Sequence, residues 1–260
     1  MMPLRSLGLS LVGALLLGFG QSAAAHTVSV AGAVLKPGTF QWHADARLHD
    51  ATVAGQVRAD AWFLGAALLR KSELEPQQRL KAGVLFDIRV NRIHARATNN
   101  APLLELIKRL DTQVAAMPVT GRVPAQLDPF QLLIKQNNAL LEPGDRLIYP
   151  QRPSQVRVMG AVAADCTLAF DAALALKDYL ARCPAHPAAD RDLVQVIQPD
   201  GRVEEVGIAH WNEQKVNVAV GAVIYRPLSP AQISPDTADL NRDMAALLAT
   251  QYQLGGRFSE

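Results

Sequence analysis

A pattern of alternating valines occurs twice in the chain and limits what it can fold into. Residues 28–34 read VSVAGAV, and residues 156–162 read VRVMGAV. Alternation places one face of a β-strand in a core, and the glycine at the same offset indicates a bend or bulge where a side chain would obstruct. Both copies end in a glycine-containing turn and a short apolar strand that closes with Ile-Tyr, at Tyr149 and at Tyr225. Two matches in the same order predict one small α+β unit that is present twice.

The first copy is longer than the second, and a helical insert accounts for the difference. Residues from about 59 to 117 carry apolar side chains at helical spacing, and Ser72 with Glu75 resembles a capping box. A second helix is predicted to start at Asn100, with a proline in its first turn. We therefore expect a helical hairpin within the first unit. The alternation at 86–90 also fits a strand, so the middle of the insert stays open between helix and strand.

The first 25 residues have the features of a cleavable secretory signal. Arg5 is their single charge, an apolar run extends from Leu7 to Phe19, and Ala23-Ala24-Ala25 supplies the small residues of a cleavage site. The run is shorter than the roughly 20 residues that a bilayer span requires. The mature protein is expected to begin at His26, to be soluble rather than an integral membrane protein, and to reside in the periplasm.

The expected organisation has four parts. These are a signal peptide at 1–25, a first domain at 26–152 with its insert at about 59–117, a second domain at 153–228, and a linker with a C-terminal amphipathic helix at 229–260. One face of that helix carries Leu240, Met244, Leu247 and Leu248. Two interpretations of this face stay open: it folds back on its own domain, or it meets a partner helix or a membrane.

Cys166 and Cys183 are the two cysteines of the chain. In an exported protein an even number of cysteines predicts one disulfide. Closing a loop of this size stabilises a fold by ~3 kcal/mol in the chain-entropy model. Two free thiols and a metal-binding pair are the alternatives. An oxidising compartment disfavours the thiols, and zinc would need neighbouring ligands.

Charge and motifs exclude several classes of function. The 26 Lys and Arg side chains nearly balance the 24 Asp and Glu side chains, so nucleic acid is not an expected partner. The sequence has no G-x-S-x-G, no glycine-rich phosphate loop and no HExxH. Glu204 and Glu205 are adjacent in a predicted strand, so their carboxylates point to opposite faces. We predict no catalytic residue, no cofactor and no metal site, and we expect the protein not to be an enzyme.

Arg122 is the preferred candidate for ligand binding. It stands where the insert rejoins the first domain, and a guanidinium forms two hydrogen bonds with a carboxylate or phosphate. Its alternative role is to satisfy main-chain carbonyls at that junction. Trp42 and Trp211 offer rings that stack on sugars, or they cover the edge of the core.

A copper site at the mature N-terminus is a further alternative. Cleavage after Ala25 would expose His26, whose amine and imidazole together suit Cu(II). A second histidine is needed, and the spacing does not select among His43, His49 and His94.

As an ordered set, these motifs resemble the GfcC family of capsule biosynthesis proteins, with a more distant similarity to the SLBB-type β-grasp modules of polysaccharide export channels. The resemblance covers residues 28 to about 254 and rests on segments 28–38, 120–122, 142–149, 196–201, 210–212 and 239–241. It implies an α+β protein of two tandem β-grasp domains, with a helical hairpin inserted in the first and an amphipathic helix at the C-terminus. At 163–165 the second copy reads Ala-Ala-Asp in place of the Lys-Pro-Gly-Thr turn of the first, so a shared loop function is not implied.

The same resemblance implies a non-enzymatic periplasmic accessory of capsule or exopolysaccharide biosynthesis and export. Its expected partners are an outer-membrane polysaccharide exporter or other capsule assembly proteins, and acidic polysaccharide is a further candidate. Two alternatives remain beside it. One is a soluble-ligand-binding protein that uses a cleft, and the other is the copper-binding protein that uses His26.

Overall fold

The computed structural model describes residues 26–254 and 257–258. The predicted signal peptide at 1–25 lies outside the described residues. Among the helices that are described, none combines the length and the apolar character needed to cross a bilayer. The helices are α1 (Leu48–Gly55), α2 (Leu74–Ala97), α3 (Ala101–Ala116), α4 (Leu176–Ala181) and α5 (Leu240–Ala249).

The first sheet has five strands and is mixed. The strands are β1 (Thr27–Gly32), β2 (Gly38–Gln41), β3 (Ala67–Leu69), β4 (Arg122–Val123) and β5 (Arg146–Tyr149). Their order is β2-β1-β5-β3-β4, with β1 and β5 parallel and the other neighbours antiparallel. The alternating valines Val28 and Val30 turn inward and pack with Leu48 of α1, which closes the core over one face of the sheet.

The second sheet repeats this topology. Its strands are β6 (Gln155–Gly160), β7 (Cys166–Ala169), β8 (Leu193–Ile197), β9 (Val203–Gly207) and β10 (Val223–Arg226). Their order is β7-β6-β10-β8-β9, with β6 and β10 parallel and the other neighbours antiparallel. Strand β6 therefore occupies the position of β1, and β10 that of β5. The α+β class with two sheet domains, predicted from the valine repeat, is confirmed.

The glycine shared by the two copies has a geometric reason. Gly32 has φ +93° and Gly160 has φ +99°, a backbone region that disfavours other residues. A Cβ atom at Gly32 would collide with the carbonyl oxygen of Tyr149, and one at Gly160 with that of Arg226. Each glycine thus lets the central parallel strands approach where the chain leaves the sheet.

The insert is a hairpin of α2 and α3, placed between β3 and β4 of the first sheet. Residues 86–90 lie inside α2, so the helical interpretation is the correct one. Strand β3 falls within the predicted interval 59–117, and the helical part begins only at Leu74. The prediction of a capping box at Ser72 is wrong, because the Ser72 hydroxyl donates to Glu142 instead, at 3.0 Å. The start at Asn100 is confirmed, since its side-chain oxygen accepts the main-chain N–H of the third helical residue, Leu103, at 3.1 Å.

The inserted hairpin packs on the second sheet rather than on the first. Leu103 and Ile107 of α3 share one buried cluster with Met159 of β6, Tyr225 of β10 and Met244 of α5. The two faces of the second sheet are therefore covered by α4 on one side and by α2, α3 and α5 on the other. An element inserted in the first domain thereby builds the core of the second.

Candidate ligand-binding clefts of the second domain

The loop from 208 to 218, between β9 and β10, separates two clefts. We name them the Trp211 cleft and the Lys215 cleft. The Trp211 cleft has a volume of about 520 Å³, and its lining includes Pro187, Asp190, Asp192, Trp211, Pro230 and Gln232. The Lys215 cleft has a volume of about 490 Å³, and its lining includes Phe170, Leu174, Lys177, Glu213, Lys215 and Val216. Both volumes fall in the range of small-ligand sites.

The loop that carries Trp211 into the lining of its cleft is held by the residue that follows it. The side chain of Asn212 accepts the N–H of Ala209 at 2.9 Å and donates to the carbonyl of Asp192 at 3.0 Å. A side chain at Gly207 would collide with the Asn212 main chain, so glycine permits this close approach. The result is a tight turn that leaves the Trp211 side chain 77% exposed. The alternative in which this tryptophan covers the core edge is therefore wrong.

Residues 190–193 also line this cleft and form a turn fixed by hydrogen bonds. Asp190 accepts the N–H groups of Asp192 and Leu193 at 2.8 and 3.1 Å, which fixes the turn. Arg191 and Asp192 are exposed beside it. Gln232 lines the cleft too, and its side-chain oxygen accepts the amide of Asn100 at 2.9 Å, so the insert supports this cleft as well.

The Lys215 cleft has a different chemistry. Phe170, Leu174 and Val216 are partly buried and pack against the core beneath them, so its floor is apolar. The charged side chains around that floor belong to Lys177, Glu213 and Lys215. Such a cleft suits a ligand with an apolar body and polar substituents.

Arg122 lies away from both clefts and binds the protein's own main chain. Its side chain donates to the carbonyl oxygens of Ala249, Gln251 and Pro199, at 3.3 and 2.8 Å for the first two. Burial lowers the pKa of the guanidinium to about 10, which still leaves it charged at neutral pH. This geometry matches the alternative in which Arg122 satisfies carbonyls, and the donors engaged here are not available to a ligand.

The apolar face of α5 is buried. Leu240, Met244, Leu247 and Leu248 are all at most 2% exposed and belong to the cluster shared with the insert. Helix α5 packs against α2 and against β8 and β9. In the structure these four side chains therefore fold back on the protein, as the first of the two interpretations had it, and they do not offer a surface to a partner.

The sulfur atoms of Cys166 and Cys183 form a disulfide, with their Cα atoms 6.0 Å apart. Cys166 begins β7 and Cys183 follows α4, so the bond ties the end of this helix to the edge of the second sheet. Cys183 is fully buried in the core of the domain.

His26 stacks on Trp42 with ring centroids 5.5 Å apart, and the indole N–H of Trp42 donates to the carbonyl of Leu141 at 2.9 Å. Trp42 is half-buried and covers the core of the first domain. Within the described part of the chain, no three His, Cys, Asp or Glu side chains group in an arrangement that holds a metal ion.

Fold and clefts define the class: an α+β protein of two sheet domains whose second domain offers two ligand-sized clefts. Residues 165–252 match the family model described as Capsule biosynthesis GfcC C-terminal, which confirms the resemblance to the GfcC family. The match includes the loop between the clefts and most of their lining. An uncharacterized protein of Escherichia coli (strain K12), YjbG, is 28% identical over 202 residues, which are 77% of this chain and 81% of YjbG.

Trp211 could be predicted from the sequence as a residue that stacks on sugars, but its cleft could not be predicted. The residues that line the cleft come from three separate stretches, 187–193, 211–212 and 229–232, which only the folded chain brings together. The available signal was the His-Trp-Asn segment itself, since Asn after Trp is a turn residue and turns expose their side chains.

Proposed function

We propose that this protein is a periplasmic accessory of capsular polysaccharide biosynthesis and export that acts by binding rather than by catalysis. The observation that carries the proposal is the match of residues 165–252 to a capsule biosynthesis family. These residues include the loop between the two clefts and the residues that line both clefts. Its partner is the exporter or the polysaccharide itself. Such a protein would bind the growing or exported polysaccharide, or the exporter, without making or breaking a covalent bond.

The groups around the clefts support recognition. Asp190 is occupied in holding a turn, and Asn212 in holding the loop, so these polar side chains fix the shape of a surface. Preformed surfaces of this kind lower the cost of ordering on binding.

Glu204 and Glu205 line neither cleft. Glu204 accepts the amide of Gln198 at 2.8 Å, while its neighbour Glu205 is exposed, so the two carboxylates do not act together.

The compartment is supported by the disulfide between Cys166 and Cys183, since such bonds persist in oxidising surroundings. The apolar run before His26, which is typical of a secretory signal, also supports export to the periplasm. The periplasm is the compartment in which an accessory meets an outer-membrane exporter.

The proposal is tested by deleting the gene in the producing organism and measuring polysaccharide at the cell surface and in the medium. We expect surface polysaccharide to fall severalfold and to return when the intact gene is supplied on a plasmid. The purified capsule should keep its monosaccharide composition, because a binding accessory does not make sugar linkages. Wild-type amounts of assembled capsule in the deletion strain would refute the proposal.

The Lys215 cleft favours a second candidate function, the binding of a small soluble ligand. Its apolar floor with charged groups at the rim is suited to a compact amphipathic molecule. Native mass spectrometry of protein purified from the producing organism would show a retained ligand as an added mass. An added mass that is present in the wild type and absent in Val216→Trp would assign the ligand to this cleft. The bare polypeptide mass in the wild type would remove this candidate.

A further inference from the structure

We propose that the Trp211 cleft binds an oligosaccharide segment, with one sugar ring stacked on the indole of Trp211. The inference rests on the proposed function and deepens it, since it assigns the binding site and the class of its ligand. It concerns the exposed side of the second domain, in the part of the chain that matches the family.

The exposure of Trp211 is the first reason. Tryptophan carries the largest apolar surface of any side chain and is mostly buried, whereas this side chain is 77% exposed. Its indole N–H has no hydrogen-bond partner among the described residues. Both the ring face and the donor are therefore available to a ligand, on a loop whose shape is already fixed by Asn212.

The polar groups around the ring are the second reason. A sugar ring has an apolar face of C–H groups and a rim of hydroxyls, each of which donates and accepts a hydrogen bond. Trp211 matches the face, and the carboxylate of Asp192, which has no hydrogen bond or ion pair within the described residues, accepts from the rim. Arg191, which precedes Asp192 in the chain, is exposed and lines the same cleft, and its guanidinium suits a carboxylate on an acidic sugar.

The rigidity of the cleft is the third reason. Asp190 fixes one wall, Asn212 fixes the loop, and Asn100 of the insert holds Gln232. Weak sugar hydrogen bonds give useful affinity only where little ordering is required on binding. The volume of about 520 Å³ admits more than the single ring that stacks on Trp211.

A protein partner is the competing occupant, because exposed tryptophans are also common at the centre of protein interfaces. The centres of such interfaces are depleted of Asp, Glu and Lys. Here two carboxylates, those of Asp190 and Asp192, line the same cleft as the indole. The apolar residues that line it with Trp211 are Pro187, Ala189, Leu193 and Pro230. The surroundings favour a hydroxylated ligand.

The test compares wild-type protein with Trp211→Ala in isothermal titration calorimetry. The probe is a size-fractionated set of oligosaccharides, prepared by partial hydrolysis of the capsular polysaccharide of the producing organism. We expect Trp211→Ala to weaken binding about tenfold or more, since the stacked ring is lost. Asp192→Asn should weaken it less and should leave any quenching of tryptophan fluorescence by the sugar in place.

Phe130→Ala is the matched control, because Phe130 is 72% exposed and belongs to the first domain. It should bind as the wild type does. Thermal unfolding of each variant shows that the fold is intact, and Trp211→Phe, which keeps a ring, should retain part of the affinity. Absence of binding to wild-type protein at millimolar sugar, or equal binding by Trp211→Ala, would overturn the inference. Neither result bears on whether gene deletion lowers capsule, so the proposed function would stand or fall separately.

Discussion

Arg122 shows how one side chain can join distant parts of the chain. It extends from β4 of the first sheet to the carbonyls of Ala249 and Gln251, at the end of α5, and to that of Pro199 in the turn after β8. A cation at the C-terminal end of a helix is favoured by the helix dipole. Only 6% of Arg122 is exposed, so its bonds are made without competition from water. We regard it as a link between the two domains.

Replacing Arg122 by methionine is expected to lower the free energy of unfolding by about 2–3 kcal/mol, because buried carbonyls lose charged hydrogen bonds. Arg122→Lys should recover only part of this loss, since an ammonium group cannot reproduce the planar fork. Urea denaturation followed by circular dichroism measures both. Wild-type stability in Arg122→Met would contradict the linking role, and a loss of ligand binding without a loss of stability would instead favour the sequence-based prediction of a ligand site.

Helix α4 is the shortest α-helix of the described chain and depends on a covalent support. It has 6 residues, which is fewer than an isolated helix needs to be stable in water. Tyr179 anchors its middle, donating from its hydroxyl to the carbonyl of Asp171 at 3.0 Å. The disulfide then holds its end, two residues after Ala181, against the edge strand β7.

Removing the disulfide by Cys166→Ser together with Cys183→Ser is expected to lower the free energy of unfolding by ~3 kcal/mol, the loop-closure value for a short loop. The comparison is urea denaturation of wild type and variant, each with and without dithiothreitol. Reductant should bring the wild type to the stability of the variant and should leave the variant unchanged. Equal stability of all four samples would show that the bond adds nothing to the fold.

The insert and the C-terminal segment make the two domains interdependent. Arg109 of α3 donates to the carbonyls of Gly160, Val162 and Ala163 at 3.0, 2.6 and 2.7 Å, so the hairpin is bonded to the strand exit of the second sheet. In the opposite direction, Tyr252, after α5, packs on β3 and β5 of the first sheet. The insert of the first domain thus supplies part of the core of the second, and the C-terminal segment packs on both sheets.

This exchange predicts that the protein unfolds in one transition. Leu103→Ala, at a fully buried position between α3 and the second sheet, should destabilise the whole protein by about 2–5 kcal/mol through the cavity it leaves. Phe86→Ala, at an exposed position of α2, is the control and should change stability little. Tryptophan fluorescence and far-ultraviolet circular dichroism should give coincident curves. Two separate transitions would show that the domains fold independently.

The local patterns of the sequence predicted the helices and strands, but they could not predict the contacts between distant segments. The valine repeat led to both sheets because strand periodicity depends on the residues themselves. The apolar face of α5 was equally visible, but periodicity does not say what covers a face, and here α2 does. Ser72 has the spacing of a cap, yet it bonds Glu142, which lies 70 positions away. The partners of Arg122 and the walls around Trp211 are distant in the same way.

Complementation of the deletion strain, with surface capsule as the readout, tests most directly whether the Trp211 cleft serves capsule export. We predict that the wild-type gene and the Phe130→Ala variant restore capsule, whereas Trp211→Ala, present at the same level in the periplasm, restores little of it. Full restoration by Trp211→Ala would contradict the claim that the protein serves capsule export through the Trp211 cleft.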